Sequence, residues 1–169
     1  MDSWEYQVTF RQQWRDSRLA FDDQRGAINF LTLATGEKQV WTPDTFIRNE
    51  LEAKVHNALT PNEYVRVFPN GDVLHSVRLT LKTTCRPDAD ATYGLVCPIQ
   101  IASYAWTMAD LEYVWKEVAP MQIVNDGMLA TGFDMTQHNS MYCNVKTATG
   151  EYSCLNAEFK FAPVKGVVA

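Results

Sequence analysis

The sequence predicts an all-β protein, an antiparallel sandwich of many short strands. Three observations carry that expectation. Stretches of alternating apolar and polar residues recur along the chain, turn signals rich in Gly, Pro, Asn and Asp separate them, and no long segment keeps apolar residues at helical spacing. At 169 residues, with 46% apolar and 12% aromatic content, the chain is the length of one domain and can build a core.

Taken in order, residues 4–14 (WEYQVTFRQQW) read as a strand with Tyr6, Val8 and Phe10 on one face and Gln7, Thr9 and Arg11 on the other. Residues 16–26 are polar and turn-like. Residues 28–33 read as a short strand, and Ala34-Thr35-Gly36-Glu37 as a turn into a further strand, Gln39-Val40-Trp41, which Pro43-Asp44 breaks. Residues 49–60 lack a wide apolar stripe and are assigned to a loop. Residues 64–82 carry the clearest local signal, a hairpin turning at Asn70-Gly71, where a tight turn asks for positive φ at both central residues. Beyond it Val77, Leu79 and Leu81 alternate with Arg78, Thr80 and Lys82. Residues 110–117 alternate again through Leu111, Tyr113 and Trp115, and residues 121–124 and 132–135 are weaker strands. A last hairpin joins SMYCNV to YSCLNAEFKF across residues 146–150, with Leu155, Ala157, Phe159 and Phe161 as its core face.

Bulk properties exclude several function classes. The net charge is −5 and no basic stripe interleaves with aromatics, so nucleic acid is not an expected partner. No apolar run is long enough to cross a bilayer, and MDSWEYQV lacks the charged start and apolar core of a signal peptide. GxSxG, HExxH, GxxxxGK and GxGxxG are absent from strand–turn–helix context, so enzyme chemistry is unsupported and no cofactor is expected. His75 reads as a packed or surface histidine.

Four cysteines allow three pairings, of which two short local loops, Cys85 with Cys97 and Cys143 with Cys154, are the simplest. Zinc is the competing reading, but it wants CxxC or HxxxH spacings, and His56, His75 and His138 make none. Disulfides point to an oxidising exterior. After Cys97 the chain enters an alternating run ending in Tyr104 and Trp106, so a covalent clip stiffens a loop beside aromatic side chains.

Several fragments together resemble the extracellular ligand-binding domain of pentameric Cys-loop receptors: VTFRQQWRDSRL (8–19), VWTPDTF (40–46), NGDVLHSVRLTL (70–81), the Cys85–Cys97 clip and IASYAWTMADLEYVWKE (101–117). The resemblance covers about residues 3–161, leaving 162–169 as a tail outside it. MYCNVKTATGEYSC, with ten residues between its cysteines, looks like the capping loop of the glycine and glutamate branches. Tyr104 after Ser103, together with TGEYSC, is more similar to the invertebrate glutamate-gated chloride channels.

The resemblance implies an immunoglobulin-like β-sandwich whose N-terminal helix and first strand are missing here, as is the pore that would anchor it in the plasma membrane. It implies a pentamer of homologous subunits with a small amino-acid neurotransmitter bound between neighbours, glutamate favoured over glycine, GABA or histamine. Phe46, Ser103, Tyr104, Thr149 and Tyr152 would form the principal face, and Arg11 and Ser76 of the neighbour the complementary face. A guanidinium suits a carboxylate and phenol rings suit an ammonium. The sequence departs from the family at the Cys85–Cys97 clip. Its loop is shorter, lacks the aromatic-Pro-x-Asp centre, and is made hydrophilic by Asp88, Asp90 and Thr92. In this it resembles the soluble acetylcholine-binding proteins.

Overall fold

A computed structural model describes residues 2–33, 40–124 and 132–164. The turn expected at 34–37, Gln39 and the end of the 162–169 tail lie outside them. Among the described residues the structure is strand and irregular chain, with a single three-residue turn of 3-10 helix, Ser17–Leu19, capped by the Asp16 side chain. No helix there is long and apolar enough to cross a membrane.

The described residues form twelve strands: β1 (Ser3–Arg15), β2 (Leu31–Leu33), β3 (Thr45–Ile47), β4 (Glu50–Val55), β5 (Glu63–Val67), β6 (Asp72–Thr84), β7 (Arg86–Pro87), β8 (Leu95–Ser103), β9 (Phe133–Tyr142), β10 (Val145–Thr147), β11 (Gly150–Tyr152) and β12 (Cys154–Pro163). The pairings β2–β5, β5–β6, β3–β8, β7–β8, β8–β12, β9–β12 and β10–β11 are antiparallel. The chain divides into two compact units, one within Met1–Trp4, Pro43–Glu52 and Lys82–Ala169, the other within Glu5–Thr42 and Ala53–Leu81.

The first unit is built on a sheet ordered β3-β8-β12-β9, with β7 beside β8, and on the β10–β11 hairpin. Its core is the alternating face expected of the last strand: Leu155, Ala157, Phe159 and Phe161 are buried together with Val96, Ile99 and Ile101 of β8. Trp4 stacks on Phe161 at 3.9 Å between ring centroids and meets Phe133 edge-on at 5.7 Å. Both cysteine pairs are bonded, Cys85–Cys97 at the start of β8 and Cys143–Cys154 at the start of β12. No metal cluster occurs among the described residues.

The second unit is built for the most part on a sheet ordered β1-β6-β5-β2, with β4 also on β6. β1 alternates as expected, with Tyr6 buried and Arg11 exposed. The hairpin between β5 and β6 forms, but its turn is not the tight one that Asn-Gly suggested. Phe68 N–H donates to Asp72 O and Gly71 N–H to Phe68 O, and of the turn residues Gly71 alone has positive φ, +91°. Pro69 starts a three-residue loop, and the glycine closes it as a bulge. A Cβ on Gly71 would lie 2.6 Å from the Asp16 carbonyl oxygen, so the turn also needs glycine for close approach.

Four sequence expectations fail. Residues 49–60 are not a loop, since β4 runs through them. All six β4 residues are exposed, so the strand is held by its backbone ladder and leaves no buried face to read. Residues 110–117 alternate yet form no strand. Their anchors are side-chain hydrogen bonds: Tyr113 OH with Thr45 Oγ1 at 2.7 Å, Tyr113 N–H to Ser153 Oγ at 2.8 Å, and Trp115 Nε1–H to the Met141 carbonyl at 2.8 Å. Burial pushes the Tyr113 phenol up, against the opposing hydrogen bond to Thr45. Val40-Trp41 is likewise irregular, with Trp41 set edge-on to Trp14 at 5.8 Å instead of joining a ladder. Residues 121–124 are also without strand structure, whereas the weak signal at 132–135 opens the ten-residue strand β9.

Candidate functional site

The five expected principal-face residues all lie in the first unit, at the end of β8 beside β3 and on the β10–β11 hairpin. β3 pairs with β8 so that Thr45 faces Ser103 and Phe46 faces Ala102. That register brings the Phe46 ring to 5.5 Å from Tyr104, edge to face at 80°. Tyr104 is 77% exposed, a large aromatic presented to solvent immediately after a buried strand. Ser103 differs from the rest. It is buried, its hydroxyl donates to Asp44 Oδ1 at 2.5 Å, and Ser103 Oγ accepts the Trp106 N–H at 3.0 Å. Asp44 also accepts the Ala105 N–H on Oδ2 at 2.8 Å and the Tyr104 N–H on its carbonyl at 3.3 Å. Asp44 and Ser103 therefore shape the turn that displays Tyr104.

The β10–β11 hairpin carries the other two. Thr149 Oγ1 lies 2.7 Å from Tyr152 OH and 3.0 Å from Thr147 Oγ1, so the tip is tied by hydroxyls. Gly150 has φ +142°, and a Cβ there would lie 2.8 Å from Thr107 Cγ2. Met108 N–H donates to the Glu151 carbonyl at 2.8 Å. These contacts seat the hairpin on the chain that follows Tyr104, and the Cys143–Cys154 bond closes its base.

The two expected complementary-face residues belong to the second unit, and they converge. Ser76 on β6 is directly opposite Tyr64 on β5. The Ser76 hydroxyl and the Arg11 guanidinium both act electrostatically on the Tyr64 phenol, Arg11 from β1, the neighbour of β6. Arg66 lies over the Tyr64 ring at 4.4 Å and over the Phe30 ring at 4.5 Å, a guanidinium between two π faces. Burial pushes the phenol up, but the Ser76 hydrogen bond and the charges of Arg66 and Arg11 outweigh it and draw its pKa below the usual value. Among the described residues no ion pair engages Arg11 or Arg66, so the cluster carries uncompensated positive charge suited to an anion.

Residues 2–163 match the family model described as the neurotransmitter-gated ion-channel ligand binding domain. The chain belongs to that family. It is 46% identical over 158 residues to a glutamate-gated chloride channel of Drosophila melanogaster, an alignment covering 92% of this chain and 34% of the relative. It is 32% identical over 157 residues to the gamma-aminobutyric acid receptor subunit alpha-2 of Homo sapiens, covering 90% and 34%, and 32% identical to subunit alpha-3 of Bos taurus, covering 90% and 31%. The chain thus spans about a third of the length of these relatives. The relatives are ligand-gated channels, not enzymes.

For a neurotransmitter-gated channel ligand-binding domain, reasoning from sequence missed two residues beside the expected ones. Asp44 reads in the sequence as a strand breaker, and its three hydrogen bonds give it a further role. Nothing in the sequence marks Tyr64: a two-residue Asn70-Gly71 turn would set Val65 opposite Ser76, and the three-residue loop shifts the register by one to Tyr64.

Proposed function

We propose that this domain binds a small amino-acid neurotransmitter, L-glutamate first, on the outside of the cell at the seam between neighbouring copies in a pentamer. One copy supplies Phe46, Tyr104, Thr149 and Tyr152, with Ser103 holding Tyr104 in place, and the next supplies Arg11 and Ser76. The observation that carries this reading is the placement of Ser76 directly opposite Tyr64, whose ring lies under the Arg66 guanidinium, on the strand next to the one that bears Arg11. A planar guanidinium pairs with a carboxylate through two parallel hydrogen bonds. Tyrosine and phenylalanine faces attract the ligand ammonium by about 0.5–2 kcal/mol each. The relative named as a glutamate-gated chloride channel supports glutamate over GABA. In the whole protein, binding would open an anion-selective pore.

The test is light scattering for assembly, then calorimetry of the assembled chain with L-glutamate and with glycine, GABA and histamine as competitors. Arg11→Ala and Tyr152→Ala should each weaken glutamate binding at least tenfold, since losing the partner of a desolvated charge costs about 2–5 kcal/mol. Unchanged affinity in either variant removes that residue from the site.

The clip loop favours a second reading, a soluble binding protein of the acetylcholine-binding type. Asp88 and Asp90 of this loop pair with Lys160 at 3.5 and 3.3 Å, giving a polar loop where a pore-coupled domain would present an apolar one. Four apolar segments encoded downstream of residue 161 would favour the channel, a stop codon the soluble protein.

A further inference from the structure

The Cys143–Cys154 bond closes the base of the β10–β11 hairpin, and its two ends differ. Cys143 is partly exposed, whereas Cys154 is fully buried. Strand register decides which side chain reaches the buried sulfur. β8 lies between β3 and β12, and Ala102 faces Phe46 on one side and Cys154 on the other, so the three share a row on one face of the sheet. Arg48 extends β3 by one residue, its N–H donating to the Gln100 carbonyl at 2.8 Å, which sets it on that face one row away. Ala102 presents only a methyl there, and Arg48 Nη1 reaches Cys154 Sγ at 3.8 Å. Asn49 ties down the corner: its side-chain N–H donates to the Pro98 carbonyl at 2.8 Å, and its Oδ1 accepts the Gln100 N–H at 3.0 Å. Among the described residues no ion pair engages Arg48.

In thiol–disulfide exchange a thiolate attacks one sulfur while the other leaves as a thiolate, and the reaction is faster the better that leaving thiolate is stabilised. A cation beside a sulfur favours its thiolate. Here the open approach is at Cys143 and the cation is at Cys154. We infer that the Cys143–Cys154 bond is a directional thiol-exchange site: Cys143 Sγ is the sulfur attacked, Cys154 Sγ the leaving thiolate, and Arg48 the group that receives it. The reductant is a low-molecular-weight thiol. Its thiolate bonds to Cys143 Sγ, the Cys143–Cys154 bond breaks, and the electron pair leaves on Cys154. A second thiolate removes the first from Cys143 as a small disulfide, and the protons of the two thiols pass through water to the two cysteines. The hairpin base does not rest on the sulfurs alone, since Cys143 N–H donates to the Cys154 carbonyl at 2.8 Å and Cys154 N–H to Asn144 Oδ1 at 2.9 Å. The sulfurs therefore stay within reach of each other, and the Cys154 thiolate can expel the small thiol again. The assignment is independent of which ligand the domain binds.

The test treats the full chain briefly with reduced glutathione, alkylates with iodoacetamide and maps the peptides by mass spectrometry. Glutathione should be found on Cys143 and the alkyl group on Cys154. Arg48→Gln should slow opening of this bond about three- to tenfold, because the rate follows the stability of the leaving thiolate with partial sensitivity. Arg48→Lys should recover part of that loss. Opening of Cys85–Cys97 in the same samples should be unchanged in both variants, whereas a general loosening of the fold would accelerate it. In denaturant the three proteins should react at one rate. Glutathione on Cys154, or on both cysteines alike, overturns the direction, and this result needs no variant to fold. An unchanged rate in folded Arg48→Gln, or no recovery in Arg48→Lys, overturns the role of Arg48. A Cys143–Cys154 bond that resists glutathione until the chain unfolds overturns the site itself.

Discussion

The Ser103 hydroxyl donates to the carboxylate of Asp44, fifty-nine positions earlier in the chain, at 2.5 Å. The bond ties the end of β8 to the approach to β3, and with the Ala105 and Trp106 amides it turns the backbone so that Tyr104 stands out into solvent beside Phe46. Tyr104, proposed to meet the ligand, is thus displayed by the buried Ser103 and the half-buried Asp44.

Ser103→Ala should therefore lower both stability and affinity. It leaves a carboxylate oxygen and the Trp106 amide short of a partner, at a cost of about 1–3 kcal/mol. Asp44→Asn keeps the shape but loses the charge-assisted bonds and should cost less. Differential scanning calorimetry with glutamate titration checks both. A normal melting temperature and normal affinity in Ser103→Ala would show that the turn holds without its hydroxyl.

Gly150 is restricted twice, by φ of +142° and by the methyl of Thr107 at 2.8 Å from its absent Cβ. Gly150→Ala should destabilise by about 1–3 kcal/mol and weaken ligand binding, because strained backbone conformations cost that much outside glycine. Adding Thr107→Ser, which removes the crowding methyl, should restore only part of the loss. Full restoration would assign the whole effect to the clash and none to the backbone.

Lys160 draws the clip loop onto β12. Its ammonium lies 3.3 Å from Asp90 and 3.5 Å from the largely buried Asp88, and the hydrogen bond it donates to Asp90 raises its pKa against the opposing effect of burial. Lys160→Met leaves two neighbouring carboxylates without their cation. Amide exchange at Asp90 and Gly94 should accelerate while the melting temperature moves little, since the Cys85–Cys97 bond still closes the loop. Raising salt on the unmodified chain should accelerate the same amides more weakly. Equal exchange in Lys160→Met and the unmodified chain would exclude the tether.

The Tyr64 phenol titrates below its ordinary value in the folded chain. The linkage follows directly: a group whose folded pKa is depressed adds stability above its unfolded pKa and loses it as pH falls through the folded one. The unmodified chain should gain stability relative to Tyr64→Phe as pH rises toward about 10, the ordinary phenol value. Over the same range it should lose glutamate affinity relative to Tyr64→Phe, because a phenolate repels the carboxylate. Melting and binding curves from about pH 7.5 to about pH 10, the range set by the phenol, measure both differences. Parallel curves for the two proteins would contradict the shift.

Alternation sufficed wherever one face of a strand is buried and the other is not. β12 shows it most plainly: Leu155, Ala157, Phe159 and Phe161 are the core that their spacing announced. It failed at both extremes. β4 has no buried face, so nothing in its side chains marked it as a strand, and the alternating 110–117 is held by Tyr113 and Trp115 hydrogen bonds to distant residues. The short-range features, the hairpin at Gly71 and the two local cysteine pairs, were legible because their partners lie close in sequence. The family resemblance nominated Arg11, Ser76, Tyr104 and Tyr152, and guanidinium, hydroxyl and ring chemistry suits them to an amino acid. Their division of labour was decided in three dimensions. Ser103 lost its hydroxyl to Asp44, and Tyr64 acquired Arg11, Ser76 and Arg66, through pairings between strands whose register no single strand encodes. Hydrogen bonds and burial belong to pairs of residues, and only folding chooses the pairs.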